Sequence, residues 1–314
     1  AGAYGRLGPT QSQINSAYLS TNLNGNITIN TQGIQEWVVP NTGIYSIEAF
    51  GASGGRSASR SVIGGKGARM RGEFNLIAGT TIRILVGQEG PTVSCTPSGG
   101  GGTFVIKSDN TALVVAGGGG GSSTDYNGID AVIGNNGTTN TANTAPGGIN
   151  GYGGGACQYG NIHNGGGGAG FLGNGQNGLY NSSGGIAFVN GGLGGVKARS
   201  GGSDGGFGGG GGTSNCTVGG GGGGGYSGGA GGEHYNNCGP NDRRRSAGGG
   251  GGSYNVGSNQ SNSSGFNSGH GRVVITLLGC TAPVAVCKDA TISLDATGNA
   301  TLLNTDIDNG STTD

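Results

Sequence analysis

Seven consecutive glycines, Gly219 to Gly225 in TVGGGGGGGYSGG, constrain this chain more than any other feature. They offer no side chain to bury and no group that carries charge or chemistry. Ordering such residues costs roughly 1–2 kcal/mol each, with glycine at the expensive end, so seven cost about 10 kcal/mol. A net hydrogen bond contributes only about 0.5–1.5 kcal/mol. A lone glycine strand therefore stays mobile. Several extended, polyproline-II-like segments side by side behave differently. That helix makes no internal bonds, so every N–H and C=O points outward to a neighbour. The missing Cβ lets backbones approach closely, and Cα–H···O contacts add a little. Further runs at 117–121, 165–168, 208–212 and 248–252 supply the neighbours. The expectation is a packed polyglycine bundle, with a flexible tether as its alternative. Collagen is excluded, because the 82 glycines keep no three-residue period and only 7 prolines accompany them.

Outside the glycine runs the pattern is β. NITIN (26–30) alternates as a half-buried strand. Trp37 to Val39, a Pro-Asn-Thr-Gly turn at 40–43, and Ile44 to Ile47 read as two strands around a turn. FNLIAGTTIRILVGQEG (74–90) repeats the plan with its turn at Ala78-Gly79, and residues 101–121 form a third hairpin turning at Ser108 to Asn110. Residues 122–265 show almost no β pattern, and GHGRVVITLLG (269–279) is one more strand that pairs with the earlier ones. No segment shows a convincing helical period. The fold class read from this is all-β: a sandwich closed around an inserted glycine region at about 117–268, which the sheets hold in register.

Formal charge is zero, with 15 basic and 15 acidic residues, so long-range attraction to nucleic acid or an anionic membrane is not expected. Charged residues are only 10% of the chain, and its polarity comes from Asn, Ser and Thr, as in many extracellular proteins. No run of 18 apolar residues is present to span a membrane. The chain reads as a processed or partial one whose leader has gone. The six cysteines, Cys95, Cys157, Cys216, Cys238, Cys280 and Cys287, form no CxxC pair and read as disulfides of an oxidising compartment. Six cysteines allow 15 pairings. Cys216–Cys238 is the pairing that would clip the heptaglycine loop, and the other four are unassigned.

No catalytic constellation emerges. Glu233, His234 and Cys238 lie close in sequence, but a loop histidine beside a disulfide cysteine is the simpler reading. Lys66 in GGKGA is followed by Gly67, where a phosphate loop needs Ser or Thr. Asp306, Asp308 and Asp314 around Gly310 form candidate calcium ligands, set against a solvated acidic turn. No other cofactor is indicated. Arg243, Arg244 and Arg245 are the one clustered charge and suit an acidic polysaccharide or partner, or simply a solvated loop. Tyr152, Tyr159, Tyr180, Tyr226, Tyr235 and Tyr254 punctuate the glycine field. Of these Tyr152, Tyr159 and Tyr235 are candidate contact residues for glycan or protein, while the set could equally lid the bundle's ends.

Seven segments in order, GPTQSQINSAY (8–18), GIQEWVVPNTGIYSIEAFGASGG (33–55), FNLIAGTTIRILVGQEG (74–90), GGGGTFVIK (99–107), LVVAGGGGG (113–121), GGFGGGGGTSNCTVGGGGGGGYSGG (205–229) and GHGRVVIT (269–276), carry a resemblance. Over roughly residues 5–278 the chain resembles the extracellular glycine-rich region of anaplastic lymphoma kinase and leukocyte tyrosine kinase receptors. The resemblance implies a TNF-like jelly roll carrying an inserted bundle of polyglycine II helices, in a region that binds small helical cytokines. Residues 280–314, with CKDATISLDATGNATL, resemble the start of the immunoglobulin-like β-sandwich repeats of large Bacteroidota surface adhesins, including gliding-motility adhesins. This implies a stalk, type 9 secretion and a surface-anchoring machinery as partners. The expected organisation is a composite head over 1–279 and a repeat beginning at 280–314.

The function expected is therefore a non-enzymatic, cell-surface-attached extracellular adhesin head, binding a surface, glycan or protein through its loops without inserting into a membrane. The alternatives are an ice-binding polyglycine protein and a receptor-type cytokine-binding module.

Overall fold

A computed structural model describes residues 3–158, 164–214, 219–234, 245–280, 288 and 303–308. A capping box starts helix α1 (Gln11–Tyr18): the Thr10 hydroxyl accepts from the Gln13 amide, and Gln13 Oε1 accepts from Thr10 N at 2.8 Å. The helix buries only Ile14. Ten strands follow: β1 (Ile27–Thr31), β2 (Ile34–Val38), β3 (Gly43–Phe50), β4 (Gly67–Leu76), β5 (Thr81–Leu85), β6 (Thr103–Lys107), β7 (Ala112–Ala116), β8 (Tyr254–Asn255), β9 (Ser258–Asn267) and β10 (Arg272–Cys280). They form two antiparallel sheets, ordered β1-β2-β5-β6-β7-β8 and β10-β3-β4-β9. The chain is an all-β sandwich.

Two of the three expected hairpins are corrected. β2 and β3 flank the 40–43 turn, yet β2 pairs with β1 and β5 whereas β3 pairs with β10 and β4. β4 and β5 flank Ala78-Gly79 and likewise belong to different sheets. Each turn carries the chain across the sandwich: Val39 N donates to Thr80 O and Gly79 N to Val39 O, which ties the two crossings together. Only β6 and β7 form the hairpin expected, in register Phe104↔Val115. The closing strand β10 pairs with β3 as anticipated. The polar β9 and the helix α1 were not expected.

Alternation along the strands builds two cores. Ile47, Met70, Ile82, Val105 and Val114 fill the space between the sheets. Phe104, Ile106, Leu85 and Val115 face the other way and pack on Phe171, Phe188 and Phe207 from the glycine region. The six-stranded sheet is thus covered on both faces, which is why the FVI of β6 and ALVVA of β7 are continuous apolar runs rather than alternating.

The heptaglycine is neither strand nor loop. All seven residues are buried, and their backbone bonds follow a cycle of three residues. Gly221 and Gly224 donate to Pro97 and Gly100; Gly222 and Gly225 donate to Gly166 and Ala169; Gly220 and Gly223 donate to Ser246 and Gly249. Their carbonyls receive from Gly121 and Gly118, from Gly232 and Gly229, and from Gly211. One segment thus bonds sideways to six others, at donor–acceptor distances of 2.7–3.2 Å. A Cβ at Gly99 would overlap the Gly222 carbonyl, and one at Gly228 the Gly168 carbonyl. The neighbours are anchored in the sheets, since residues 97–102 lead into β6, 117–121 continue β7, and 248–252 lead towards β8.

Of residues 280–314, only Cys280, Lys288 and 303–308 are described. The short helix α2 (Asn304–Ile307) receives the Lys288 amide at Ile307 O. The expected β-sandwich repeat falls almost wholly outside the described residues.

Candidate binding surfaces

A cleft of about 430 Å³ lies on the glycine lattice, lined by Pro146, Ile149, Tyr152, Asn174, Gln176 and intervening glycines. A tight turn projects Tyr152 there. Asn150 (φ 52°) and Gly151 (φ 86°) both take left-handed backbone, and Tyr152 N donates back to Ile149 O at 3.0 Å. Gly148 N and Gly151 N are fixed to Gly228 O and to Ser227 Oγ, so the turn stands directly on the lattice. Tyr152 is 59% exposed, and Ile149 and Leu172 beside it are also exposed. The two amides are oriented by their oxygens: Asn174 Oδ1 accepts from Ala187 N at 2.8 Å, and Gln176 Oε1 from Ala156 N at 2.9 Å. With the oxygens so engaged, each amide keeps its NH₂ group as a donor. The cleft combines one exposed aromatic face with two positioned amide donors. That chemistry suits a neutral, hydroxyl-rich ligand.

Among the other anticipated residues, Arg245 is held rather than presented: its amide donates to Asp125 Oδ2 at 2.8 Å and its Nη1 to Thr124 Oγ1 at 3.1 Å. Arg243, Arg244, Tyr159 and Tyr235 lie outside the described residues. Tyr226 and Tyr254 do not reach the cleft. They end a stack of rings that runs Phe104, Phe188, Phe171, Tyr226, Tyr254, with centroid separations of 5.1, 5.5, 6.2 and 4.5 Å. Asp306 lies in α2 and Asp308 is exposed just after it, while Asp314 lies outside the described residues. Among the described residues, no group of three or more His, Cys, Asp or Glu could hold a metal ion. Lys66 enters β4, its amide bonded to Asp130 Oδ1. Sequence reasoning found Tyr152 but missed Asn174 and Gln176, because amides in GNGQNG (173–178) look like any polar loop.

Cys95 and Cys157 are each disulfide-bonded. Cys216, Cys238 and Cys287 lie outside the described residues, as does the expected Cys216–Cys238 bond. Among the described residues, no helix is long and apolar enough to cross a membrane.

Burial raises the Tyr226 hydroxyl above its usual value, with the neighbouring Tyr254 adding to the shift. Burial also raises Tyr18, against the opposing hydrogen bond to Gln35. A phenol raised in the folded state keeps its proton while the unfolded chain loses it, so stability is complete below pH ~10 and falls as pH rises above it. Tyr226→Phe is expected to blunt that alkaline loss in urea melts followed from pH 9 to 11.5, about the window of phenol ionisation; an unchanged slope would remove Tyr226 from the account.

No protein-family model matches the chain. Over 93 residues, 28% of this chain, it is 40% identical to the leukocyte tyrosine kinase receptor of Mus musculus. The similar stretch spans about 10% of that receptor's length.

Proposed function

We propose that the chain is a non-enzymatic extracellular binding head of a surface adhesin, with loops on a stiff glycine scaffold contacting a surface, glycan or protein. The observation that carries this reading is the Tyr152 turn: an exposed aromatic and two amide donors fixed to a lattice that itself has no side chains to offer. The disulfides at Cys95 and Cys157 support an oxidising compartment. The three-residue bonding cycle supports a polyproline-II-type winding of the glycine segments, which has three residues per turn. The stalk, the type 9 secretion route and attachment to the cell surface belong to the same proposal and rest on the resemblance of residues 280–314.

Tyr152→Ala is expected to weaken binding on a glycan array or coated surface by about tenfold, the scale of one lost aromatic stacking contact. The sandwich should melt unchanged, because the ring is exposed. Undiminished binding would move the contact surface elsewhere. Cells producing the protein without residues 1–279 are expected to lose attachment, and normal attachment would sink the adhesin reading. The likeness to a receptor tyrosine kinase favours a second reading, a receptor-type module that binds a protein ligand. Retention of a secreted helical protein, with no glycan bound, would select it.

A further inference from the structure

The segments around the heptaglycine form a closed ring, which defines a complete position in the lattice. Going round it by backbone bonds, Gly99 donates to Gly211, Gly166 to Gly212, Gly165 to Gly232, Gly249 to Ala230, Gly248 to Gly121 and Gly100 to Gly119. One polyglycine strand thus takes six neighbours, each bonded to the next. The segment 153–155, under the Tyr152 turn, has four. Gly154 N donates to Gly168 O and Gly155 N to Pro146 O, while Gly154 O accepts from Gln176 N and Gly155 O from Gly231 N. These four neighbours make one continuous arc, because Gly148 N bonds Gly228 O, Gly168 N bonds Gly229 O and Gly167 N bonds Gln176 O. The arc ends at 146–148 on one side and at 174–176 on the other. Six neighbours less four leaves two lattice positions open between those ends. The cleft of about 430 Å³, lined by 146–148, 153–155, Asn174 and Gln176, lies there.

Each of the three rows at the cleft holds one residue whose backbone is unused. Among the described residues, the N–H and C=O of Gly147, Gly153 and Asn174 make no hydrogen bond. Gly147 and Gly153 are half-buried, so their groups are paired by water or by another strand. The lining carries no charged side chain. Neighbouring rows leave no space for side chains between them: a Cβ at Gly153 would overlap the Asn174 carbonyl, and one at Gly154 the Gly229 carbonyl. A strand added here must be extended, uncharged and bare on the face it turns inward. Only a peptide repeats N–H and C=O at the spacing of the rows themselves. We propose that the floor of the cleft takes a glycine-rich, extended segment of a partner protein as a further strand of the lattice, much as a sheet edge takes an added β-strand. The inference rests on the Tyr152 cleft being the contact surface, and it names the partner. Tyr152 and Ile149, both more than half exposed, flank the floor and hold off a flat face, so a single strand is favoured over a second copy of this chain.

The test is a titration of the full chain with a capped peptide of four Gly-Gly-Ser repeats, followed by amide NMR shifts and hydrogen exchange. Four Ala-Ala-Ser repeats, octaproline and maltohexaose are the comparison probes. The glycine peptide is expected to saturate with a dissociation constant on the order of 1 mM. Its shifts should centre on Gly147, Gly153 and Asn174, whose unbonded amides exchange fast in the free chain. With peptide at about ten times the dissociation constant, that exchange should slow by about tenfold. The alanine peptide should cause no shift, because its methyl groups hold it off the floor, and octaproline none, because it has no N–H. An equal response to the alanine peptide, shifts confined to other surfaces, or self-association that protects these amides without peptide would each overturn the proposal. The sugar separates this inference from the reading beneath it. Shifts at Tyr152 with maltohexaose and none with the glycine peptide keep the cleft as a contact surface and sink the strand. No shift at the cleft with any probe also overturns the strand, and the Tyr152→Ala result on a coated surface then decides the reading it rests on.

Discussion

Gly223→Ala is expected to destabilise the chain by about 4 kcal/mol, against a gain of about 0.4–1 kcal/mol for Gly134→Ala. Both changes add one methyl to a glycine with ordinary backbone. They differ in what the methyl meets. At Gly223 the new Cβ overlaps the carbonyl of Gly118, a backbone atom that cannot rotate away. Gly118 N is itself bonded to Gly224 O, and Gly223 N to Gly249 O, so separating the segments breaks bonds on two sides. Overpacking contributes about 1–3 kcal/mol, and each buried group left unpaired a similar amount. At Gly134 nothing lies within 4 Å. There the alanine acts only by restricting the unfolded chain. Thermal melts would separate the pair by more than about 10 °C, at roughly 2–4 °C per kcal/mol for a domain of this size. Equal melting temperatures would mean that the glycine segments are not packed in solution.

Phe188→Ala is the other large effect, a loss of about 3–5 kcal/mol from the emptied volume alone. Phe188 is 2% exposed and lies between Phe104 of β6 and Phe171 of the glycine region. Arg83 of β5 sits over its ring at 5.4 Å from the centroid. The residue is the rivet between sheet and lattice, and the two stacked pairs add about 0.5–1.5 kcal/mol each. A double-mutant cycle with Phe171→Ala is expected to show coupling of about 1 kcal/mol, because the two rings share one stack. Additive losses would show that the rings fill space independently.

Much of the sandwich was legible because apolar alternation marks strands directly. TFVIK and ALVVA became β6 and β7, NITIN became β1, and RVVITLLG became β10. Pairing was not legible at Pro40 or Ala78-Gly79, since alternation assigns a strand its faces but not its neighbour. Strand β9, SNQSNSSGFN, escaped notice because it is a mostly exposed edge whose one large apolar residue, Phe266, packs on Phe50 and makes no alternating pattern. Helix α1 buries one residue, too few to make a period, although Thr10 and Gln13 carried its capping signal. A packed glycine bundle was expected from energetics before any resemblance, and the backbone of Gly220 to Gly225 bonds to six other segments. Tyr152 could be singled out as an aromatic among glycines.

The lattice also alters how the protein responds to temperature. Exposing apolar surface raises heat capacity on unfolding, by about 0.45 cal/K/mol per Å², whereas exposing polar surface lowers it by about 0.26. An interior made of peptide groups, with no side chains, therefore releases amides to water where an ordinary core would release hydrocarbon. Its heat-capacity increment falls below the usual ~12–15 cal/mol/K per residue. A smaller increment flattens the stability curve, so the lattice's own contribution weakens little in the cold, where the two apolar cores lose part of their driving force.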